Sequence, residues 1–324
     1  FAVAARGRGP VRCVGVVGDD FREEDLALIG RHADVAGIAR VPGKSFHWSG
    51  RYHADLIERD TLATELGVFA DFRPEIPAAW RDAEYLYLAN IYPALQDGVL
   101  DLMRGPRLVA LDTMNLWIET TPDLLRAILR RVDVLFVNDS EARQLSGQRS
   151  LARAAAAIRE LGPTRVVVKK GEHGALLFGR DSVLAVPALI LDEVIDPTGA
   201  GDSFAGGFMG ALAEAGVGRD APDAAFRQAM LDGTVTASTG GIGLEIARVL
   251  ARTAEDAARF AEIGIPDDRI EVGGDLKYDR PVPPDAQAPC LELSHGAPLQ
   301  PACAAGPGRQ PGPARLAAAL LVPR

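Results

Sequence analysis

A carboxylate inside a glycine-rich turn is the feature of this sequence that most needs a chemical explanation. Residues 194–216, VIDPTGAGDSFAGGFMGALAEAG, run from a β-branched lead-in (Val194, Ile195) through Thr198, Gly199, Ala200, Gly201 and Asp202 into small and apolar residues at helical spacing. The pattern predicts a strand, a turn and a helix N-terminus. Unpaired backbone N–H groups and the positive end of the helix dipole attract anions there. Side chains no larger than a methyl at 199–201 let a phosphate approach the backbone. Asp202 would repel that phosphate, so its presence calls for a role. General base duty supplies one: Asp202 accepts the proton of a hydroxyl that attacks a terminal phosphoryl group, while the amides of Gly199, Ala200 and Gly201 form an anion hole. The structural alternative makes Asp202 the N-cap of a helix after an ordinary loop.

Such groups work only if a rigid frame brings them together, and the surrounding sequence predicts one. From Val11 to about Ser238, short β-rich runs alternate with amphipathic stretches, as in βα units on a largely parallel sheet. Strands are expected at VRCVGVVG (11–18), YLYLA (85–89), RLVALD (107–112), VDVLFVN (132–138) and RVVVKK (165–170). PDLLRAILRR (122–131) and SLARAAAAIRELG (150–162) space apolar residues three and four apart and predict helices. Residues 46–70 are aromatic and β-branched without helical period, which predicts a small sheet or hairpin between βα units. A helical segment is expected at 245–264, and ten of the 22 prolines fall in the last 45 residues, which predicts an irregular tail.

The strand VDVLFV ends in Asn138, Asp139, Ser140 and Glu141. An Asn and a Glu one helical turn apart at a strand end can hold the hydration shell of Mg²⁺, which keeps several waters and prefers oxygen. The same pair fits a helix start, with Asn138 as cap and Glu141 in the first turn. Both readings stay open at this level.

Taken in order, Asn138 to Glu141, VVVKKGEHGALLF (166–178) and DPTGAGDSFAGGF resemble the signatures of the ribokinase-like sugar kinases, the PfkB family. The resemblance covers about residues 1–245 and implies a three-layer α/β/α sandwich with a small β lid at about 41–70. It implies ATP-dependent phosphorylation of a hydroxyl on a small-molecule sugar or nucleoside, with Asp202 as base. Asn138 and Glu141 would then organise water-bound Mg²⁺ and phosphate without ligating the metal directly, and Lys169, Gly171 and Gly174 would lie at the nucleotide. Taken by themselves, Lys169 reads equally well as a solvated lysine and the two glycines as a hairpin turn. Trp48, Arg51, Tyr52 and His53 fall in the lid, and Asp112 and Asn115 near the family's sugar contacts; none of these is assigned to the site. The resemblance also admits a homodimer formed through the lid.

Both ends depart from the family pattern. The acidic strand and Gly-Gly turn that hold the sugar in the family are not visible upstream of Val11, so the fold is expected to be N-terminally incomplete. VTASTGGIGLE departs from the loop expected over the adenine. A catalytically inert nucleotide-binding remnant is therefore the alternative to an active kinase. Residues 249–280 resemble a stretch of the lipid A Kdo transferases, which makes 246–280 a glycosyltransferase-like fragment or an extension and leaves 281–324 as a Pro/Gly-rich tail.

Composition narrows the partners. In 324 residues, 48% hydrophobic and 24% charged, no apolar run approaches the roughly 18 residues of a membrane span. With 35 Lys+Arg against 44 Asp+Glu, the net charge of −9 disfavours nucleic acid and anionic lipid. Cys13, Cys290 and Cys303 form no CxxC pair, which points to a reducing, cytoplasmic setting, and the five histidines have no zinc spacing. GIARVPGKS (37–45) has five residues rather than four between its glycines and no following helix, so it is not a phosphate loop.

Overall fold

The computed structural model describes residues 1–5, 8–52, 59–189 and 197–238, together with the backbone of three short strands at 249–251, 270–272 and 316–320. His53 lies outside the described residues, as does most of the C-terminal third.

The strands are β1 (Arg12–Val17), β2 (Asp34–Arg40), β3 (His47–Tyr52), β4 (Arg59–Glu65), β5 (Tyr85–Leu88), β6 (Leu108–Asp112), β7 (Val134–Asn138), β8 (Arg165–Lys169), β9 (Ala175–Phe178), β10 (Val183–Val186), β11 (Val249–Ala251), β12 (Ile270–Val272) and β13 (Leu316–Leu320). The helices are α1 (Ala2–Ala5), α2 (Glu23–Gly30), α3 (Pro93–Leu102), α4 (Asn115–Thr120), α5 (Pro122–Leu129), α6 (Asp139–Ser146), α7 (Leu151–Glu160), α8 (Ala200–Glu214) and α9 (Arg227–Ser238).

The main sheet runs β10-β9-β8-β7-β6-β5-β13-β1-β2 and is parallel except where β9 pairs with its neighbours. Strands β5 to β8 are buried along almost their whole length. That is why they appear in the sequence as unbroken apolar runs rather than alternating ones: helices cover the sheet and leave the strands no wet face. Helix α8 packs Phe204 and Phe208 onto Phe136 of β7, with ring centroids 6.1 and 5.2 Å away. Helix α7 buries Ala154, Ala155 and Ile158, and α5 buries Leu125, Ile128 and Leu129, the faces their spacing predicts.

Within residues 46–70 the expected strands pair, β3 and β4 being antiparallel and registered from His47 opposite Glu65 to Tyr52 opposite Arg59, while Gly67–Asp71 forms a short 3-10 helix. Two C-terminal segments differ from expectation. Val249–Ala251, expected in a helix, is a short strand paired in parallel with Ile270–Val272, where the β-branched Val249, Ile270 and Val272 favour extended backbone. Within the Pro-rich tail, Leu316–Leu320 is regular and lies between β5 and β1, parallel to both.

Candidate active site

Because β5 to β8 are parallel, their C-terminal ends share one edge of the sheet, and there the chain delivers Asp112, Asn138 and Lys169. Open α/β sheets bind ligands at this edge. The register sets Asn138 beside Lys169 on β7 and β8, and Asp112 beside Phe136 on β6 and β7. Lys169 reaches past β7, with its ammonium 6.0 Å from the Phe136 ring centroid, and meets Asp112 Oδ2 at 2.8 Å.

Helix α8 starts at the same place. Gly199 precedes it with φ +81°, a left-handed conformation that favours glycine, and no atom of the described residues lies within 4 Å of where its Cβ would stand. Gly201 is constrained differently, since a Cβ there would lie 3.1 Å from the Lys169 ammonium. Ala200 donates its N–H to the Pro197 carbonyl at 3.2 Å and Ser203 donates to Gly199 at 2.8 Å, whereas Gly199, Gly201 and Asp202 have no backbone acceptor among the described residues. Asp202 sits in the first turn, partly exposed, and its carboxylate has no hydrogen-bond partner among the described residues. It is therefore not acting as an N-cap; Gly199 holds that position.

Asn138 and Glu141 form a reciprocal capping box. The Glu141 N–H donates to Asn138 Oδ1 at 2.7 Å and the Asn138 N–H donates to Glu141 Oε2 at 2.8 Å. The pair thus starts α6 whatever else it does. Gly171 and Gly174 close the β8–β9 hairpin: Lys170 donates to the Gly174 carbonyl at 2.8 Å and Gly174 donates to Gly171 at 3.0 Å. Gly174, at φ +82°, has no room for a Cβ, which would stand 2.0 Å from the Val186 carbonyl oxygen.

The electrostatics converge on Lys169. Burial alone would lower its pKa, but the nearby carboxylates of Asp112, Glu141 and Asp202 outweigh that and raise it, keeping the ammonium charged. Burial raises the Asp112 carboxyl, and Lys169 pulls it back. Asp112 is the residue the sequence left unassigned. Its Oδ1 accepts the Thr113 N–H at 2.9 Å, and its Oδ2 accepts Lys169 and the Tyr87 hydroxyl, the latter at 3.2 Å. The available signal was a carboxylate ending a fully buried strand. Two surface concavities of about 580 and 430 Å³, one lined by Val11 and His32 and the other by Arg107 and Arg219, lie at the opposite, N-terminal ends of the strands and hold none of these residues.

Comparison with known proteins agrees with this frame. Residues 2–239 match the family model described as pfkB family carbohydrate kinase. The chain is 34% identical over 212 residues to a cytidine kinase of Thermococcus kodakarensis, covering 64% of this chain and 75% of that protein. It is 32% identical over 176 residues to a 2-dehydro-3-deoxygluconokinase of Escherichia coli, covering 49% and 56%. Among solved structures, aminoimidazole riboside kinase from Salmonella enterica, complexed with aminoimidazole riboside and an ATP analog, superposes with a TM-score of 0.59 at 21% identity over 74% of this chain and 82% of that one. With the family model spanning most of the chain and the fold shared, the protein belongs to the pfkB family of carbohydrate kinases, which are ATP-dependent.

Proposed function

We propose that the chain transfers the terminal phosphoryl group of ATP to a hydroxyl of a nucleoside or sugar, with Asp202 as general base. One observation carries the reading: a partly exposed carboxylate with no hydrogen-bond partner among the described residues stands in the first turn of α8, beside backbone N–H groups with no backbone acceptor among those residues and close enough to Lys169 to act on its charge. Asp202 takes the proton of the acceptor hydroxyl as its oxygen bonds to the terminal phosphorus and the bond to the ADP oxygen breaks. The N–H groups of Gly199 and Gly201 face the charge on the transferring oxygens, with the Ala200 amide partly engaged by Pro197. Lys169 adds a fixed positive charge, and Gly171 and Gly174 shape the turn beside the nucleotide.

Mg²⁺, when bound, neutralises phosphate charge and aligns the donor. Glu141 and Asn138 fit its hydration shell, because the capping box fixes both side chains at the sheet edge that carries Lys169. The β3–β4 hairpin serves as the lid of this reading. For the acceptor, the similarity to a cytidine kinase favours a nucleoside over a free sugar acid, the coverage of that relative being the larger.

The test is Asp202→Asn, assayed with MgATP against cytidine and 2-dehydro-3-deoxygluconate. The expected loss in kcat is about 10²–10⁴-fold, with MgATP affinity by calorimetry retained or tightened because a like charge has left the site. A variant with the wild-type rate overturns the role of Asp202. A wild-type chain that binds MgATP but turns over no acceptor favours the inert remnant.

A further inference from the structure

The mechanism leaves unused a buried carboxylate at the sheet edge that carries the candidate site. Asp112 has a side chain only 7% exposed and is ion-paired with Lys169, itself 19% exposed. Buried ion pairs seldom stabilise a fold more than apolar residues of the same volume would, so this pair calls for another explanation.

Geometry supplies it. A lysine side chain is a point charge on a flexible four-carbon stem, with no built-in direction. Here the direction comes from Asp112, whose carboxylate is held by the Thr113 N–H and the Tyr87 hydroxyl and presents Oδ2 to the ammonium. The ammonium then abuts Gly201, one residue before Asp202. A base at 202 serves an oxygen attacking the terminal phosphorus, so a cation fixed against 201 stands at the transferred group rather than at the inner phosphates. With both carboxylate oxygens engaged, Asp112 is a poor candidate for holding the acceptor itself.

We infer that Asp112 is a positioning residue that holds the Lys169 ammonium against the first turn of α8, where it engages the terminal phosphate of the nucleotide. The inference rests on the phosphoryl-transfer reading above and adds which phosphate Lys169 meets and what aims it there.

The experiment uses the full chain with Lys169→Met, Asp112→Asn and the double variant. Calorimetry measures affinity for MgADP and for the magnesium complex of a non-hydrolysable ATP analogue, which differ in the terminal phosphate. Lys169→Met is expected to weaken the analogue about tenfold, as loss of a charge-assisted contact does, and to leave MgADP within about twofold. Asp112→Asn is expected to weaken the analogue by a smaller factor, again sparing MgADP, and to lower kcat more than it raises KM for the analogue's parent, MgATP. The double variant should be no worse than Lys169→Met, because Asp112 acts only through Lys169. Should Asp112→Asn fail to fold, the double variant, which removes both charges, still gives the analogue-to-ADP ratio. Equal losses for both nucleotides, or additive losses in the double variant, overturn the positioning role while leaving the kinase reading intact. A wild-type chain that binds neither nucleotide overturns both.

Discussion

Asn138 is a helix cap and, in the proposed function, also organises magnesium and phosphate, and the two roles can be separated by choosing the substitution. Asn138→Ala removes the acceptor for the Glu141 N–H and should cost about 1 kcal/mol of stability. Asn138→Ser keeps a capping oxygen and should stay within about 0.5 kcal/mol of wild type. If Asn138 also organises magnesium and phosphate, both variants lose turnover; if Ser retains it, Asn138 is a cap alone. Urea denaturation read alongside steady-state kinetics decides. Cys13 gives a check of a different kind, since burial pushes its thiol up to about 12. It should resist alkylation at pH 8 in the native protein and react on unfolding, as followed by mass spectrometry of its peptide. Much of the candidate site could be nominated from sequence because its residues lie in contiguous motifs: Gly199 to Asp202 on one turn, Asn138 and Glu141 on another. Asp112 was not, because its partner is 57 residues away and the two meet only across the intervening strand β7. No local spacing encodes a contact that spans a strand.

At the scale of elements, the glycines of α8 set how closely its neighbours approach. A Cβ at Gly207 would stand 2.6 Å from the Asp232 carbonyl oxygen of α9, and one at Gly206 would stand 2.4 Å from the Phe1 carbonyl oxygen. Gly207→Ala therefore gains up to about 1 kcal/mol of helix propensity but forces two backbones apart, an overpacking that costs about 1–3 kcal/mol. The net expectation is a lower Tm by thermal scan. Strand β8 is anchored at its other end by Arg165, fully buried, which donates to Asp223 at 3.0 Å and lies over the Phe226 ring at 3.9 Å. Burial alone would raise the Asp223 carboxyl, but the N–H groups of Asp181 and Arg180 and the Arg165 charge hold it below its ordinary value. A depressed carboxylate stabilises the fold above its unfolded value of about 3.9, and that stability is lost as pH falls through the lower, folded value. Asp223→Asn should cost about 3–5 kcal/mol at neutral pH by leaving Arg165 unpaired, and should then lose less than wild type on acidification, as denaturation between pH 3 and pH 7 would show. Most of the main-sheet strands that could be read from sequence share one property, burial. Strands β5 to β8 announce themselves as apolar runs, whereas β2 and β10, at the two edges of the sheet and largely exposed, carry no such run and were missed.

For the whole molecule, the least expected feature is the path by which the sheet is made continuous. Without β13, strands β1 and β5 would each face the other with an unpaired row of N–H and C=O groups, and a buried row of that kind is costly. Ala319 pairs with Cys13 on one side and Tyr87 on the other, so residues from near both ends of the chain complete one sheet around the middle. Such long-range pairing carries no local signal, and a Pro-rich setting argues against regular structure, so nothing in the tail's composition marks these five residues. The arrangement can be tested at the backbone. Proline is excluded from central strands because it lacks the N–H and its ring crowds the ladder. Ala319→Pro should therefore lower the Tm by at least about 5 °C and speed amide hydrogen exchange in Arg12–Val17 and Tyr85–Leu88. Leu250→Pro, in the separate β11–β12 pair, is the matched control and should leave exchange in those two strands unchanged. If Ala319→Pro also leaves them protected, the sheet does not depend on its C-terminal strand, and β1 and β5 must find their hydrogen-bond partners in another way.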